Sequence, residues 1–241
     1  MVDIHCHILP GFDDGSDNIE ESVRMARLAV EGGTKAVIAT PHSNIPESYQ
    51  NYCSREYVDK FKALRERLAE ENIPLKLYPG HEIFASGNVV ELIKSKRLIT
   101  LCNSDYPLVE FGFTEHPASV FEKLEMIIAE GLTPVVAHPE RYAFVIEDAG
   151  APARLREIGC LLQINKGSLK GSFGRGAYLA SRSIIGNELA DFVASDAHSP
   201  YMRTPYLADA FEIISEIHSE EYAELLLSIN PGKILKNEKI N

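Results

Sequence analysis

The feature of this 241-residue sequence that most constrains its fold is an alternation of two kinds of segment. Short runs rich in Val, Ile and Leu alternate with longer segments whose apolar residues recur at helical spacing. Strands that crossover helices bury on both faces have this continuous apolar character, so the pattern predicts parallel βα units. The predicted strands are residues 2–6, 36–39, 75–78, 106–110, 134–137, 161–164 and 192–194.

Seven βα units predict a parallel sheet closed into a TIM-like α/β barrel that has one unit fewer than the usual eight. We expect a single domain over residues 1–241, because barrels of this kind reach such a length as one unit. No linker rich in Gly, Ser or Pro divides the sequence.

Two helical regions show how the ends of the chain are organised. The first helix is predicted to begin at Asp17, with Glu20 completing a capping box, and to end at Gly32-Gly33. After the last strand, two helical segments are predicted at residues 205–218 and 220–228. The polar tail after about residue 230 is expected to fray.

Charge, hydropathy and cysteine placement narrow the possible partners. A formal net charge of -11 opposes the phosphate backbone of nucleic acid, so we do not expect a nucleic-acid partner. No secretion signal is recognisable, and no run reaches the ~18 apolar residues of a membrane span. The cysteines form no C-x-x-C pair, which favours a reducing cytoplasm; they are Cys6, Cys53, Cys102 and Cys160.

Metal-capable side chains follow nearly every predicted strand, at its C-terminal end. Ligands from strands remote in sequence converge at this face of an α/β barrel. Because strand side chains alternate, DIHCH points both histidines to one face and Cys6 to the other, as a packing residue. The candidate ligands are His5, His7, Asp14, His42, Glu82, Glu110, His138, Asp196 and His198.

This set of imidazoles and carboxylates predicts a metal centre. Each residue alone has an ordinary structural explanation, but burying so many ionisable groups together is costly unless a cation compensates them. Nitrogen and oxygen ligands without thiolate favour manganese, iron or zinc. Nine ligands exceed what one ion takes, so two or three divalent ions are expected.

Taken together, HxH at the start, ATPH, a mid-chain Glu, AHPER and SDAH resemble the polymerase and histidinol phosphatase (PHP) superfamily over the whole chain. The segments DIHCHILPGFDDGSDNIEESVRMARLAVEGGTKAVIATPH and INKGSLKGSFG are similar to the manganese-dependent tyrosine-protein phosphatases encoded with bacterial capsule and exopolysaccharide genes. The resemblance implies a distorted seven-unit barrel and a Mn²⁺ cofactor. It also implies that the substrate is the phosphotyrosine-containing tail of a bacterial tyrosine kinase that controls polysaccharide synthesis.

The resemblance also assigns the ligands to three ions. It implies that Glu82 bridges two of them. His5, His7 and Asp196 would complete the first ion, Glu110 and His138 the second, and Asp14, His42 and His198 the third.

The mechanism expected for such a centre is attack on the phosphoryl group by a hydroxide that bridges two metals. No protein nucleophile is needed, and no cysteine is followed by an arginine at the C-x5-R spacing of cysteine-dependent phosphatases. Arg141 and Arg203 are predicted to clamp the phosphate, because a guanidinium presents a fork of donors matched to its oxygens.

Two alternatives stay open at the level of sequence. The same centre would serve a small-molecule phosphatase of the histidinol-phosphate type, since fold does not fix substrate. A catalytically silent module that binds a phosphorylated partner is the second alternative, but it would be expected to have lost ligands that are all present here. The oligomeric state cannot be read from the sequence.

Overall fold

The computed structural model describes residues 1–240 and contains nine β-strands. Each predicted strand has a counterpart, although some begin one or two residues later. Two further short strands, β3 and β5, were not predicted. The strands are β1 Val2–Cys6, β2 Ala36–Ala39, β3 His42–Ser43, β4 Lys76–Pro79, β5 Glu82–Phe84, β6 Leu108–Glu110, β7 Val135–Ala137, β8 Leu161–Asn165 and β9 Phe192–Ala194.

All strand pairs are parallel and trace one distorted barrel. Strands β1-β2-β4 form one hydrogen-bonded group and β3-β5-β6-β7-β8-β9 form another. β3 follows β2 and β5 follows β4 after short interruptions, so the nine strands occupy seven positions. The ring closes where Asp196 N donates to His5 O and His7 N donates to Ala197 O, each at 2.9 Å. The predicted distorted (β/α) barrel is thus confirmed.

Helices follow the strands along the chain and cover the barrel. The helices are α1 Ile19–Glu31, α2 Arg55–Glu70, α3 Val89–Lys94, α4 Pro117–Ala129, α5 Ala143–Glu147, α6 Ala151–Glu157, α7 Lys166–Leu169, α8 Gly174–Gly186, α9 Ala208–Ile217, α10 Glu220–Glu224 and α11 Asn230–Ile234, with a π-helical turn at Leu225–Ile229. Within residues 1–240, none of the helices combines the length and the apolar character that crossing a bilayer requires.

The first helix begins one residue later than predicted. Asn18, not Asp17, is the N-cap, and its side chain accepts a hydrogen bond from Glu21 N. The end is as predicted, because Gly32 caps the helix and Gly33 adopts a φ of 81°. Asn18 and Asp17 are comparable capping residues, so propensity alone could not choose between them.

Residues 231–240 of the tail are anchored, contrary to the expectation that the tail frays. Ile234 is fully buried in a cluster that also contains residues from β1, β2, β6, β7, β8 and β9. Tyr106 donates its hydroxyl to Glu238 O at 2.9 Å, and Asp105 N donates to Asn237 Oδ1 at 2.9 Å. α11 therefore packs against the interior core of the barrel.

Candidate metal centre

The structure brings all nine predicted ligand residues to one face of the barrel, where the strands end. His5, His42, Glu82 and Glu110 lie in β1, β3, β5 and β6, and His138 directly follows β7. His7, Asp14, Asp196 and His198 lie in the loops that follow β1 and β9. This convergence follows from the topology, since parallel strands of a closed barrel end at a common mouth.

Glu82 lies at the middle of the cluster and is fully buried. Its Oε2 is 3.2 Å from His5 Nε2, 3.2 Å from His7 Nε2 and 3.0 Å from His42 Nδ1, and its Oε1 is 2.8 Å from His138 Nε2. Burial opposes ionisation of this carboxyl, but His5 and His42 outweigh it and hold the pKa of Glu82 well below its usual range. A carboxylate in contact with four imidazoles is placed to bridge cations.

His5 and His7 show why a cation fits this position. His5 Nδ1 donates to Gln163 Oε1 at 2.8 Å, and His7 Nδ1 donates to Asp13 Oδ2 at 2.6 Å. Those bonds fix the tautomers, so each Nε2 carries a lone pair, and the two Nε2 atoms face each other at 3.2 Å. The two lone pairs repel each other unless a cation or a proton lies beside them.

Three groups of side chains bring one ligand atom from each member within 4.8 Å of the others. They agree in part with the three sites that the resemblance implied. His7 also joins the group around Asp14, and His42 joins Glu110, to which its Nδ1 lies at 2.9 Å. The groups are His5, His7 and Asp196; His42, Glu82 and Glu110; and His7, Asp14, His42 and His198.

Burial and the carboxylates together set the protonation of the histidines. Burial lowers the pKa of His42, but Glu82 and Glu110 outweigh it and raise the value to about 11. Burial and its neighbour His7 lower the pKa of His198 to about 2. The Glu82 carboxylate is therefore paired with a protonated His42, whereas His198 is a neutral imidazole at the edge of the cluster.

Two buried polar residues that support the histidines were missed by the sequence analysis. Asp13 contacts His7 and also accepts a hydrogen bond from His42 N at 2.8 Å. Burial raises its pKa, but His7 and His42 outweigh burial and lower it to about 2. Gln163 lies fully buried in β8 and holds His5. Such partners fix the tautomer and orientation of metal-binding imidazoles.

Three residues of the site adopt left-handed backbone conformations that are unfavourable for a side chain with a Cβ. The φ angles are 36° at His138, 48° at Asp196 and 50° at Arg203. Residues held in such conformations concentrate at functional sites, where the surrounding structure maintains them. Here the strained turns direct the side chains after β7 and β9 into the mouth.

The two predicted clamp arginines both reach Asp196. Arg203 Nη2 lies 2.6 Å from Asp196 Oδ2, and Arg141 Nη1 lies 3.5 Å from the same oxygen. Burial opposes ionisation of Asp196, but His5 and Arg203 help to hold its pKa well below the usual range.

A cavity of about 320 Å³ opens above the cluster. Its floor contains metal-ligand candidates, and its rim contains both arginines with Ile45, Tyr49 and Phe113. Tyr49 stacks on His42 with ring centroids 5.8 Å apart. The cavity thus joins a polar floor of candidate metal ligands to a partly aromatic rim, and its size falls in the range of small-ligand sites.

Cys6, His81 and His116 have structural roles. Cys6 is fully buried in an apolar cluster, as predicted. His81 points away from the centre: its Nδ1 accepts a hydrogen bond from Ile99 N at 3.0 Å, its ring packs on Tyr57, and burial lowers its pKa to about 3. His116 caps α4 by accepting from Ala118 N.

Asn165, which ends β8 where other units carry ligands, donates to Asp196 Oδ2. Lys166 points away from the cluster, because its Nζ donates to Thr204 O at 2.8 Å and to Tyr206 O at 2.6 Å. Both residues therefore brace the segment that contains Asp196 and Arg203.

Comparison with known families matches residues 1–236 to capsular polysaccharide synthesis proteins of the CpsB/CapC type. The chain is 36% identical to the tyrosine-protein phosphatase YwqE of Bacillus subtilis (strain 168), covering 100% of this chain and 93% of that protein. It is 29% identical to the tyrosine-protein phosphatase CpsB of Streptococcus agalactiae, covering 100% of both chains.

Comparison with solved structures gives the same result. A crystal structure from a study of YwqE from Bacillus subtilis and CpsB from Streptococcus pneumoniae, described as unique metal-dependent tyrosine phosphatases, superposes with a TM-score of 0.93 at 35% identity. The match covers 100% of this chain and 96% of that one. A TatD-family hydrolase from Entamoeba histolytica has a TM-score of 0.57 at 11% identity, which shows the shared barrel fold alone.

Proposed function

This chain belongs to the CpsB/CapC family, and on that premise we propose that it is a metal-dependent phosphotyrosine-protein phosphatase. One observation carries the proposal: five histidines and four carboxylates from along the chain converge beneath a cavity that also contains two arginines. The full-length similarity to tyrosine-protein phosphatases supports the same activity.

The proposed metal ligands are the nine residues that the sequence analysis selected. We assign His5, His7 and Asp196 to one ion and Glu82 with Glu110 and His138 to a second, with Glu82 shared between the two. Asp14, His42 and His198 would hold the third. Divalent ions held there would supply an activated water nucleophile and would neutralise charge on the phosphoryl oxygens.

The residues of the chain itself bind and orient the substrate. Arg141 and Arg203 present guanidinium donors to the non-reacting phosphoryl oxygens, where they stabilise the charge of the transition state. Asp196 holds both arginines beside the floor, at 3.5 Å and 2.6 Å. The apolar part of the rim, which consists of Ile45, Tyr49 and Phe113, would surround the phenyl group that carries the phosphate.

The cellular setting belongs to the same proposal. Mn²⁺ is the proposed metal, in keeping with nitrogen and oxygen ligation without thiolate. The proposed substrate is the phosphotyrosine-containing tail of a bacterial tyrosine kinase, whose dephosphorylation would regulate capsular polysaccharide synthesis. The four cysteines are free, which is consistent with a reducing cytoplasm as the place of reaction.

Hydrolysis of three substrates by the same protein tests the activity. Para-nitrophenyl phosphate, a phosphotyrosine peptide and histidinol phosphate are compared after chelation and again after Mn²⁺ is restored. We expect turnover to fall on chelation, to recover with Mn²⁺, and to be fastest on the peptide. His198→Ala should abolish the recovery, whereas His218→Ala, which alters a histidine paired with Glu188 outside the site, should not.

The possible results separate the competing activities. Preference for histidinol phosphate would replace the proposal with a small-molecule phosphatase. Metal-restored turnover on none of the three substrates would leave a binding module without catalysis, and the enzyme proposal would be wrong.

A further inference from the structure

The guanidinium of Arg141 lies over two phenyl rings. Its Cζ atom is 4.4 Å from the ring centroid of Phe113 and 4.2 Å from that of Phe173. The Phe173 ring also faces Arg203, whose Cζ lies 5.5 Å away. One aromatic side chain therefore contacts both arginines of the proposed clamp.

A cation–π contact with a guanidinium has a specific chemical consequence. The five N–H donors of arginine lie in the plane of the group, so a ring that contacts its face holds it without occupying a donor. Within the described residues, the ion pair between Arg141 Nη1 and Asp196 Oδ2 is long at 3.5 Å. Its donors are thus left for an incoming ligand.

Glycines in the chain between β8 and α8 determine the position of the Phe173 ring. A Cβ at Gly167 would lie 2.5 Å from Phe173 Cε2, so the ring rests where only glycine leaves room. Gly171 and Gly174 adopt φ angles of 80° and 88°, which also favour glycine, on either side of the phenylalanine. Ser172 N donates to Gly167 O at 2.9 Å and closes the turn.

We infer that Phe173 is a positioning residue that orients Arg141 and Arg203 through cation–π contacts. The segment 165–174 holds the Phe173 ring in place. This inference rests on the proposed function, because it assigns the clamp a phosphoryl ligand. Phe113 makes the other cation–π contact with Arg141, but it also lines the cavity and would touch the substrate. Phe173 acts on the ligand through Arg141 and Arg203.

Phosphate inhibition of the Mn²⁺-loaded enzyme measures the effect on the ligand. Phe173→Leu removes the ring but keeps an apolar side chain, and we expect the inhibition constant of inorganic phosphate to rise roughly threefold to thirtyfold, the range of a cation–π contact. Phe121→Leu is the matched control, because Phe121 is also a half-buried phenylalanine but packs in the main core cluster. It should leave the constant unchanged.

A mutant cycle tests whether Phe173 acts through the two arginines. In a background that carries both Arg141→Ala and Arg203→Ala, Phe173→Leu should change phosphate inhibition by clearly less than it does alone, because both partners of its ring are already gone. Equal and independent effects would mean that Phe173 only supports the local fold, and the inference would be overturned.

An NMR measurement on the metal-free protein needs no activity at all. Ring currents from the two phenyl groups should shift the Arg141 side-chain Nε–H and Cδ–H proton resonances upfield of those of exposed Arg154. Phe173→Leu and Phe113→Leu should each move the Arg141 resonances towards the Arg154 position. Arg141 resonances that coincide with those of Arg154 in the unaltered protein would contradict the stacked arrangement.

The two readouts distinguish the inference from the function on which it rests. If the protein hydrolyses no aryl phosphate, the proposed phosphatase activity fails, while the NMR shifts still test the stacking. If it is active but neither shifts nor inhibition respond to Phe173→Leu, the activity stands and the positioning role is wrong.

Discussion

The floor and the rim of the proposed catalytic centre are built on different principles. We call His5, His7, Glu82 and Asp196 the floor; all four are buried and contact one another or protein partners such as Asp13 and Gln163. The rim consists of Ile45, Tyr49, Phe113, Arg141 and Arg203, which are half-buried or exposed.

Hydrogen bonds and charges hold the floor, whereas stacking contributes much of the support for the rim. The Nδ1 atoms of His5 and His7 are already hydrogen-bonded to Gln163 and Asp13, which fixes the tautomers before a metal binds. On the rim, Tyr49 lies on His42, and Arg141 lies over two phenyl rings. The difference suggests that the floor determines which cations bind and the rim determines which phosphate ester is used.

The largest effect should come from the centre of the floor. Glu82→Gln keeps the shape of the side chain but removes the charge that four imidazoles face, so we expect kcat to fall by at least about 10³-fold, several kcal/mol in the barrier. Metal content measured by plasma emission should fall with it. Glu188→Gln is the control, since that carboxylate is exposed and pairs with His218. Wild-type turnover by Glu82→Gln would contradict a floor organised around Glu82.

The second-largest effect should come from the two arginines that are proposed to bind the phosphate. Replacing Arg141 and Arg203 together by Ala removes the donors from the rim and keeps all nine proposed metal ligands, although the ion pairs with Asp196 are lost. We expect kcat/KM to fall by roughly 10² to 10³. Metal content should stay near that of the unaltered protein, which separates rim from floor. Arg154→Ala, which alters an exposed arginine paired with Asp148, serves as the control. Unchanged turnover in the double variant would mean that the arginines do not bind the phosphate.

A smaller effect is expected at Asp13, which lies outside the floor and holds His7. Asp13→Asn keeps an oxygen that can accept from His7 Nδ1 but removes the negative charge, so metal affinity should fall roughly 10- to 100-fold. Titration of metal-free protein with Mn²⁺, followed by the return of activity, measures it. Asp17→Asn, at an exposed aspartate in the same loop, should bind Mn²⁺ normally. An equal loss in both variants would point to general electrostatics of the loop instead of support for His7.

The sequence predicted the floor better than the parts that support it. Strand alternation and the position of each ligand after an apolar run were enough to select His5, His7 and Asp196. Asp13 and Asp14 are adjacent and chemically identical, so spacing could not tell which one holds His7. Gln163 could have been identified from the sequence as a supporting residue, because a polar side chain inside an apolar strand needs a buried partner.

Long-range contacts account for most of the remaining differences. The tail was expected to fray because most of its residues are polar. Ile234 anchors it, but the strands that Ile234 packs against lie far away in sequence, so the sequence pattern does not show this contact. β3 and β5 were missed because two or three residues are too few to show a period, and Pro41 and Gly80 interrupt the runs that precede them. Phe173 lies in a turn, where no periodicity reveals the direction of a side chain.

The smallest predicted effect concerns the aromatic part of the rim. It tests whether the rim favours aryl phosphates over alkyl phosphates. Tyr49→Leu removes a ring that lies at the cavity and on His42. If that ring also packs on the phenyl group of the substrate, KM for para-nitrophenyl phosphate should rise about two- to tenfold, the value of one aromatic contact. Hydrolysis of an alkyl phosphate such as glycerol phosphate should change little. Tyr52→Leu is the control, because that ring stacks under Arg97 outside the cavity. Equal changes in KM for the aryl and alkyl esters would mean that Tyr49 only packs the loop, and that selection between esters depends on the arginines and the floor.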